Sequence, residues 1–396
     1  MNKVVIVDGA RTPIGAFQGA LSGFTAAQLG AHAIRAVLDR TGFSADQVDE
    51  VLFGCVLTGG QGQAPARQAS LGAGIPNSVP CTTINKVCGS GMKAVMMARQ
   101  AILAGDARFV IAGGMESMSN APYALDRARA GYRMGNGTLL DLMIHDGLWD
   151  PYHNVHMGNR GDATAVEHGF SREDLDRFSA QSVERARAAQ ASGALAEEIA
   201  PVSVPQRKGD PIEIALDEGP GKADPTKLPG LRPAFAKDGL TTAGNASSIN
   251  DGACALLVAE ESAAIATGLT PLARIVATAQ FAQAPEWFTT APAGAIQRLL
   301  GAQSLTVDDI DLFEVNEAFA VVAMVVAREC GIPESKLNVN GGAVALGHPI
   351  GMTGARLVLT AAKELARRGG RYAIATPCIG GGEATAVLIE RYEVAK

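Results

Sequence analysis

The 396-residue chain predicts an α/β fold of two repeated halves, with a polar segment inserted into the first. Three observations carry this. An amphipathic helix, an acidic turn, a buried strand, a Gly-rich turn, a helix and another buried strand occur twice in the same order. Gly is abundant at 46 residues and aromatic residues make up only 5%. That balance suits tight strand–helix junctions and aliphatic layers better than an aromatic-rich β-sandwich. Between the two copies, roughly residues 119 to 249 break the pattern with short polar segments and a run dense in Pro, Gly and charge.

The chain enters a strand at Val4-Val5-Ile6-Val7, so no signal or transit peptide is expected before it. Ala33-Ile34 through Leu38, with Ser44, Asp46, Val48 and Asp49, align with Ala295-Ile296 through Leu300, with Thr306, Asp308, Ile310 and Asp311. Arg99 to Gly105 and Phe109 to Ala112 fall opposite Lys363 to Gly369 and Tyr372 to Ala375. Apolar strands of this kind are covered by helices on both faces. Chemistry then gathers at their carboxyl ends, in the crevice between units. Cys88 sits at the Gly-rich turn of the first copy and His348 at the equivalent turn of the second. A pseudo-twofold axis would set them face to face. Within the insertion, Ser171 and Asp174 cap a helix continuing through Leu175, Phe178 and Val183. From Pro201 to Pro233, Pro and Gly exclude long regular structure. The insertion reads either as a cover over the crevice or as a solvent-facing decoration. The expected boundaries are 1–118 with 250–268 for the first half, 119–249 for the insertion and 269–396 for the second half.

The net charge of −6, from 34 basic and 40 acidic residues, gives no basic stripe for nucleic acid. The six cysteines Cys55, Cys81, Cys88, Cys254, Cys330 and Cys378 form no C-x-x-C or zinc spacing and point to a reducing, cytoplasmic setting. The most apolar helix, Ala318 to Ala327, ends at Arg328 and is too short for a bilayer, so no membrane partner is expected. His145, His153 and His156 invite a metal reading, but no acidic or thiol partner completes a ligand set at a known spacing. No metal is expected.

Chemistry concentrates in three Gly-flanked fragments: Cys88-Gly89-Ser90-Gly91, Gly347-His348-Pro349 and Cys378-Ile379-Gly380-Gly381-Gly382. Two thiols and one imidazole suit breaking or making a thioester, because a thiolate attacks and a nearby base generates it. Cys88 precedes the helix from Met92 to Ala98, whose dipole is expected to lower its pKa. It reads equally as a buried structural cysteine, and for Cys55, Cys254 and Cys330 the structural reading is the better one. Pro349 holds His348 extended. Asn316, between the strand Ile310–Val315 and the helix opened by Glu317, reads first as an N-cap and also as an enolate donor. The amides after Cys378 offer an anion nest, or a hairpin with an incidental thiol.

Together with Asn85-Lys86-Val87, Gly113-Gly114-Met115-Glu116-Ser117-Met118-Ser119 and Asn316-Glu317-Ala318-Phe319, these fragments resemble the thiolase family over essentially the whole chain. The resemblance implies a five-layered α/β/α/β/α sandwich of two like halves, with a loop domain that binds coenzyme A. It implies that Cys88 is acylated after activation by His348, and that Cys378 exchanges the α proton of a second acetyl-CoA. Asn316, holding a water, would form one oxyanion site with His348; the amides of Cys88 and Gly380 would form the other. Leu148, His156, Met157, Phe235, Ala243, Ser247 and Phe319 would contact coenzyme A. The implied reaction joins two acetyl-CoA into acetoacetyl-CoA, with coenzyme A as substrate and product, no cofactor, and a homotetrameric dimer of dimers. Two departures stand out. Asp217-Glu218-Gly219-Pro220-Gly221 lacks the family's nucleotide-reaching Arg; Lys222, Lys227 and Arg232 stand nearby but are balanced by acids, and no phosphate contact is assigned to them. Phe288 replaces an acyl-pocket Met and bears on chain length or branching. The alternatives are a degradative 3-ketoacyl-CoA thiolase of broader range and a non-catalytic acyl-CoA carrier. A decarboxylating ketosynthase would need a His where Asn316 stands, and a nicotinamide dehydrogenase a G-x-G-x-x-G after a strand.

Overall fold

A computed structural model describes residues 3–393. Strands β1 (Val4–Arg11), β2 (Glu50–Gly54), β3 (Cys81–Ile84), β4 (Phe109–Ser117) and β5 (Asn250–Glu260) form the sheet of the first half, in the order β3-β2-β4-β5-β1. In the second half, β6 (Ala273–Ala282), β7 (Leu312–Val315), β8 (Tyr372–Thr376) and β9 (Glu383–Arg391) run β7-β8-β9-β6. The pairings repeat. β2 is parallel to β4 as β7 is to β8, and the following two pairings in each half are antiparallel. A Phe313–Leu337 bridge stands where β3 lies in the first half. The sheets join edge to edge where Val5 faces Arg274 and Ile6 faces Ala273. Matching bulges interrupt β1 between Ile6 and Asp8 and β6 between Ile275 and Ala277.

Strand alternation creates the layers. In the first half Ile6, Leu52, Val110 and Leu256 face inward, while Val5, Val51, Phe53, Ile111 and Leu257 face outward. Helices α1 (Ala26–Thr41) and α2 (Pro65–Gly72) cover that outer face. Helices α3 (Ser90–Ala104) and α8 (Ile350–Arg368) fill the space between the sheets, packed on inward residues from both. On the far side, α6 (Ala291–Gln303) and α7 (Ala320–Cys330) cover Phe313, Ile374 and Leu388. Three helix layers and two sheets make the five-layered sandwich.

Between β4 and β5 lie two longer helices, α4 (Met157–Glu167) and α5 (Arg172–Ala191), the latter with the expected Ser171–Asp174 capping box. From 201 to 233 only two three-residue strands, a five-residue helix at Glu218–Lys222 and a short 3-10 helix at Pro225–Gly230 occur. Buried polar contacts fasten this insertion to the body. Fully buried Arg11 meets Asp217 at 2.6 Å and Glu198 at 3.3 Å, and the Ser182 hydroxyl donates to Glu317 at 2.7 Å. Each such group is anchored because leaving its partner buried and unpaired would cost several kcal/mol.

Candidate active site

The pseudo-twofold relation is realised by a crossing of glycines. The first turns of α3 and α8 pass so closely that a methyl on Gly91 would stand 2.8 Å from the Gly351 carbonyl oxygen. A methyl on Gly354 would stand 2.5 Å from the Met92 nitrogen, and one on Gly114 of β4 would overlap the Gly351 carbonyl. Only hydrogen fits at these points. The loops ahead of the two helices, bearing Cys88 and His348, therefore open on one cavity of about 620 Å3.

Cys88 follows Val87, whose φ of +46° is an uncommon, strained conformation for a β-branched residue. Ser90 clamps this turn, accepting from the Lys86 N–H at 2.8 Å and donating to the Val87 carbonyl at 2.7 Å. Burial pushes the Cys88 thiol up to about 11, against the pull of the Gly380 and Cys88 N–H groups. The expected depression by the helix dipole is thus overturned. The thiol stands two residues ahead of α3, and desolvation outweighs the amides that favour its anion. Cys378 is fully buried in a two-residue strand paired to β9, outside the cavity lining. Burial, then the neighbouring Cys88, raise its thiol well above the ordinary value. At rest, both sulfurs are thiols.

His348 is 6% exposed, with its N–H donating to Asn250 Oδ1 at 2.9 Å. Its Nδ1 lies 2.6 Å from Thr353 Oγ1 and its Nε2 3.4 Å from Asn316 Nδ2. Burial, followed by the Arg356 charge, lowers its pKa to about 3. Asn316 is not a helix cap: α7 starts at Ala320, whose N–H donates to the Asn245 carbonyl at 2.9 Å. Its Oδ1 is buried without a hydrogen-bond partner among the described residues.

Because the folded pKa of His348 lies below the ordinary 6.5, between about 3 and 6.5 the unfolded chain binds a proton that the folded one refuses. Its contribution to stability is complete above 6.5 and lost as pH falls. At pH 5.5 the loss is about 1.4 kcal/mol. His348→Asn should therefore gain about that much on the native protein between pH 7.5 and 5.5, read from urea or thermal midpoints. Parallel pH profiles would show that the imidazole is not held neutral.

Glu116 went unread as a site residue in the sequence. It is fully buried and accepts from the N–H groups of Val56, Leu57 and Gly351 at 2.9–3.0 Å, with the Cys55 thiol at 3.7 Å. Burial pushes it up to about 7, yet four donors and no acceptor surround it, so the anion is the form this pocket satisfies. It ties the end of β2 to the start of α8 beside His348. In the sequence it was a carboxylate closing an apolar strand, within the Gly113–Ser119 fragment, and carried no assigned role.

Every residue read as a coenzyme A contact lines the cavity: Leu148, His156, Met157, Phe235, Ala243, Ser247 and Phe319, together with Phe288 and Gly380. The His156 ring stacks on Phe235 at 4.5 Å between centroids, and Phe319 meets Phe235 and Phe288 edge-on at 6.1 and 6.4 Å. Lys222 lines the cavity; Lys227 and Arg232 do not. Met118, Ile249 and Ile350 also line it and were not legible, since apolar residues without spacing read only as core. His145 pairs with Asp146 and His153 with Asp150. A half-buried thiol, a neutral imidazole and convergent amides at an apolar cavity can accept and pass on an acyl group.

Residues 4–262 match the family model described as "Thiolase, N-terminal domain", and residues 269–391 that described as "Thiolase, C-terminal domain". The chain is 49% identical over 393 residues to the acetyl-CoA acetyltransferase of Allochromatium vinosum, covering 99% of this chain and 100% of that protein. It is 48% identical over 392 residues to the acetyl-CoA acetyltransferase of Pseudomonas aeruginosa, with 99% and 100% covered. With acetyl-CoA acetyltransferase 2 of Arabidopsis thaliana it shares 51% over 389 residues, 98% of this chain and 96% of the relative.

Proposed function

The chain belongs to the thiolase family, and we propose that it is an acetyl-CoA C-acetyltransferase, joining two acetyl-CoA into acetoacetyl-CoA and coenzyme A, and reversing the reaction. The observation that carries this reading is the opening of Cys88, His348 and the Gly380 amide onto one largely apolar cavity, with Cys378 as the sulfur neighbour of Cys88. The names of relatives about half identical supply the acetyl group.

In the first half-reaction His348 Nε2 takes the Cys88 proton, and the thiolate forms a bond to the thioester carbonyl carbon. The carbonyl oxygen gains charge before the amides of Cys88 and Gly380. The carbon–sulfur bond to coenzyme A breaks, and Cys378 protonates the departing sulfur. The second acetyl-CoA gives an α proton to the Cys378 thiolate while its enolate oxygen faces imidazolium His348 and an Asn316-held water. The enolate carbon attacks acetyl-Cys88, the Cys88 thiolate leaves, and His348 returns its proton. The sequence closes in atoms and charge without a cofactor. Phe288, 2% exposed and set against Phe319, fills acyl space and favours short chains. No helix among the described residues is long and apolar enough to cross a membrane. Family resemblance supports a cytoplasmic homotetramer, a dimer of dimers.

The test is the absorbance of magnesium–acetoacetyl-CoA enolate on addition of free coenzyme A. The native protein should consume the signal and Cys88→Ala should not. A native protein that binds coenzyme A and leaves the signal untouched would instead be an acyl-CoA carrier.

A further inference from the structure

We propose that Thr353 is a positioning residue for His348, its hydroxyl holding the imidazole as the Nδ1–H tautomer and so leaving Nε2 as the proton-accepting nitrogen. The inference rests on the reading of His348 as the base that serves Cys88. Thr353 is 1% exposed, in the first turn of α8. Its Oγ1 lies 2.6 Å from His348 Nδ1 and 2.9 Å from the Pro349 carbonyl oxygen. The hydroxyl has one proton for these two neighbours. The carbonyl can only accept, so both contacts are hydrogen bonds only when Nδ1 donates to Oγ1. The far side of the ring agrees. Asn316 Nδ2 lies 3.4 Å from Nε2 and donates to it in the same arrangement, leaving Asn316 Oδ1 without a partner among the described residues. The opposite tautomer forfeits the Pro349 bond and sets two donors against each other at Nε2.

The fold fixes this hydroxyl before any ligand arrives. A Thr inside a helix that bonds back to the carbonyl four residues earlier has its χ1 locked. Glycines at 351 and 354 let that turn press against α3, so the hydroxyl sits on a rigid element directly after the loop that carries the ring. When Nε2 takes the Cys88 proton, the sulfur–hydrogen bond breaks, a nitrogen–hydrogen bond forms, and Nδ1–H keeps its acceptor. The arrangement resembles the orienting group of a catalytic triad with one difference. Thr353 carries no charge and Arg356 opposes one, so the imidazolium readily returns its proton when the Cys88 thiolate leaves.

Thr353→Val keeps the shape and removes the hydroxyl; Thr353→Ser restores it. The valine variant should lose about 10- to 100-fold in kcat, the range for removing a partner that orients a histidine, with KM for acetoacetyl-CoA nearly unchanged. The serine variant should recover most of kcat. Solid-state 15N NMR of histidine-labelled protein, with His348 assigned by its loss in His348→Asn, reads the tautomer directly. Native and serine proteins should carry the proton on Nδ1, and the valine variant should populate Nε2–H. A native His348 protonated at Nε2 overturns the proposal, as does a valine variant with native tautomer and kcat. Should Thr353→Val fail to fold, the native and serine spectra still decide. A native protein with no thiolase activity but Nδ1–H would sink the functional reading and leave the tautomer assignment standing.

Discussion

Cys378→Ala protein should lose turnover while still taking up an acetyl group on Cys88. The two sulfurs are neighbours, but they differ in surroundings: Cys88 lines the cavity and Cys378 lies behind it, fully buried. Forming acetyl-Cys88 needs the Cys88 proton removed and the oxyanion held, and neither task falls to Cys378. Coenzyme A leaves as a thiolate that departs without strict need of an acid, so acylation slows but proceeds. Removing the α proton has no substitute. Loss of a positioned general base costs about 100- to 10,000-fold, and deacylation through carbon–carbon bond formation should fall by that much. Intact mass after incubation with acetyl-CoA should show one acetyl adduct on the variant, absent when Cys88 is also replaced. A variant with an intact Cys88 and no adduct would overturn the division of labour between the thiols.

Two thiols and an imidazole in Gly-rich turns stood out in the sequence as candidates, while the division of labour between the thiols came from the family resemblance alone. The repeat was readable in the residues themselves: Phe109–Ala112 and Tyr372–Ala375 became equivalent strands β4 and β8. What escaped were properties that exist only across the chain. Asn316 has the composition of an N-cap, but a carbonyl from Asn245, 71 positions upstream in the insertion, receives the first amide of α7 and frees it. Val87 gives no local sign of a positive φ, which the Ser90 clamp and the packing around Cys88 impose. Cys88 has a helix ahead of it, as read, yet its pKa follows the depth of the cavity, and depth is not a local property. Glu116 and Thr353 support the catalytic groups from residues that read as an ordinary strand end and an ordinary helix turn.

Gly114→Ala should be the most damaging single methyl in the protein. Its Cβ would overlap the carbonyl oxygen of Gly351 and approach the Gly91 Cα at 3.2 Å. Both neighbours are backbone, so no side chain can swing aside. Gly351 cannot retreat either, because its N–H is held by Glu116 at 2.9 Å and its own turn presses on Gly91. Relief requires α8 to lift from α3, which opens the layer between the two sheets and separates His348 from Cys88. Overpacking of this kind costs about 3 kcal/mol or more. The variant should melt far below the native protein or fail to accumulate, and any folded fraction should alkylate Cys88 without turning over. Gly301→Ala supplies the contrast. That glycine lies near the exposed end of α6, and a methyl placed on it would meet nothing within 4 Å, so alanine should stabilise by about 0.5–1 kcal/mol. A Gly114→Ala protein as stable and active as the native one would mean that the helix crossing is not what brings the two catalytic turns together.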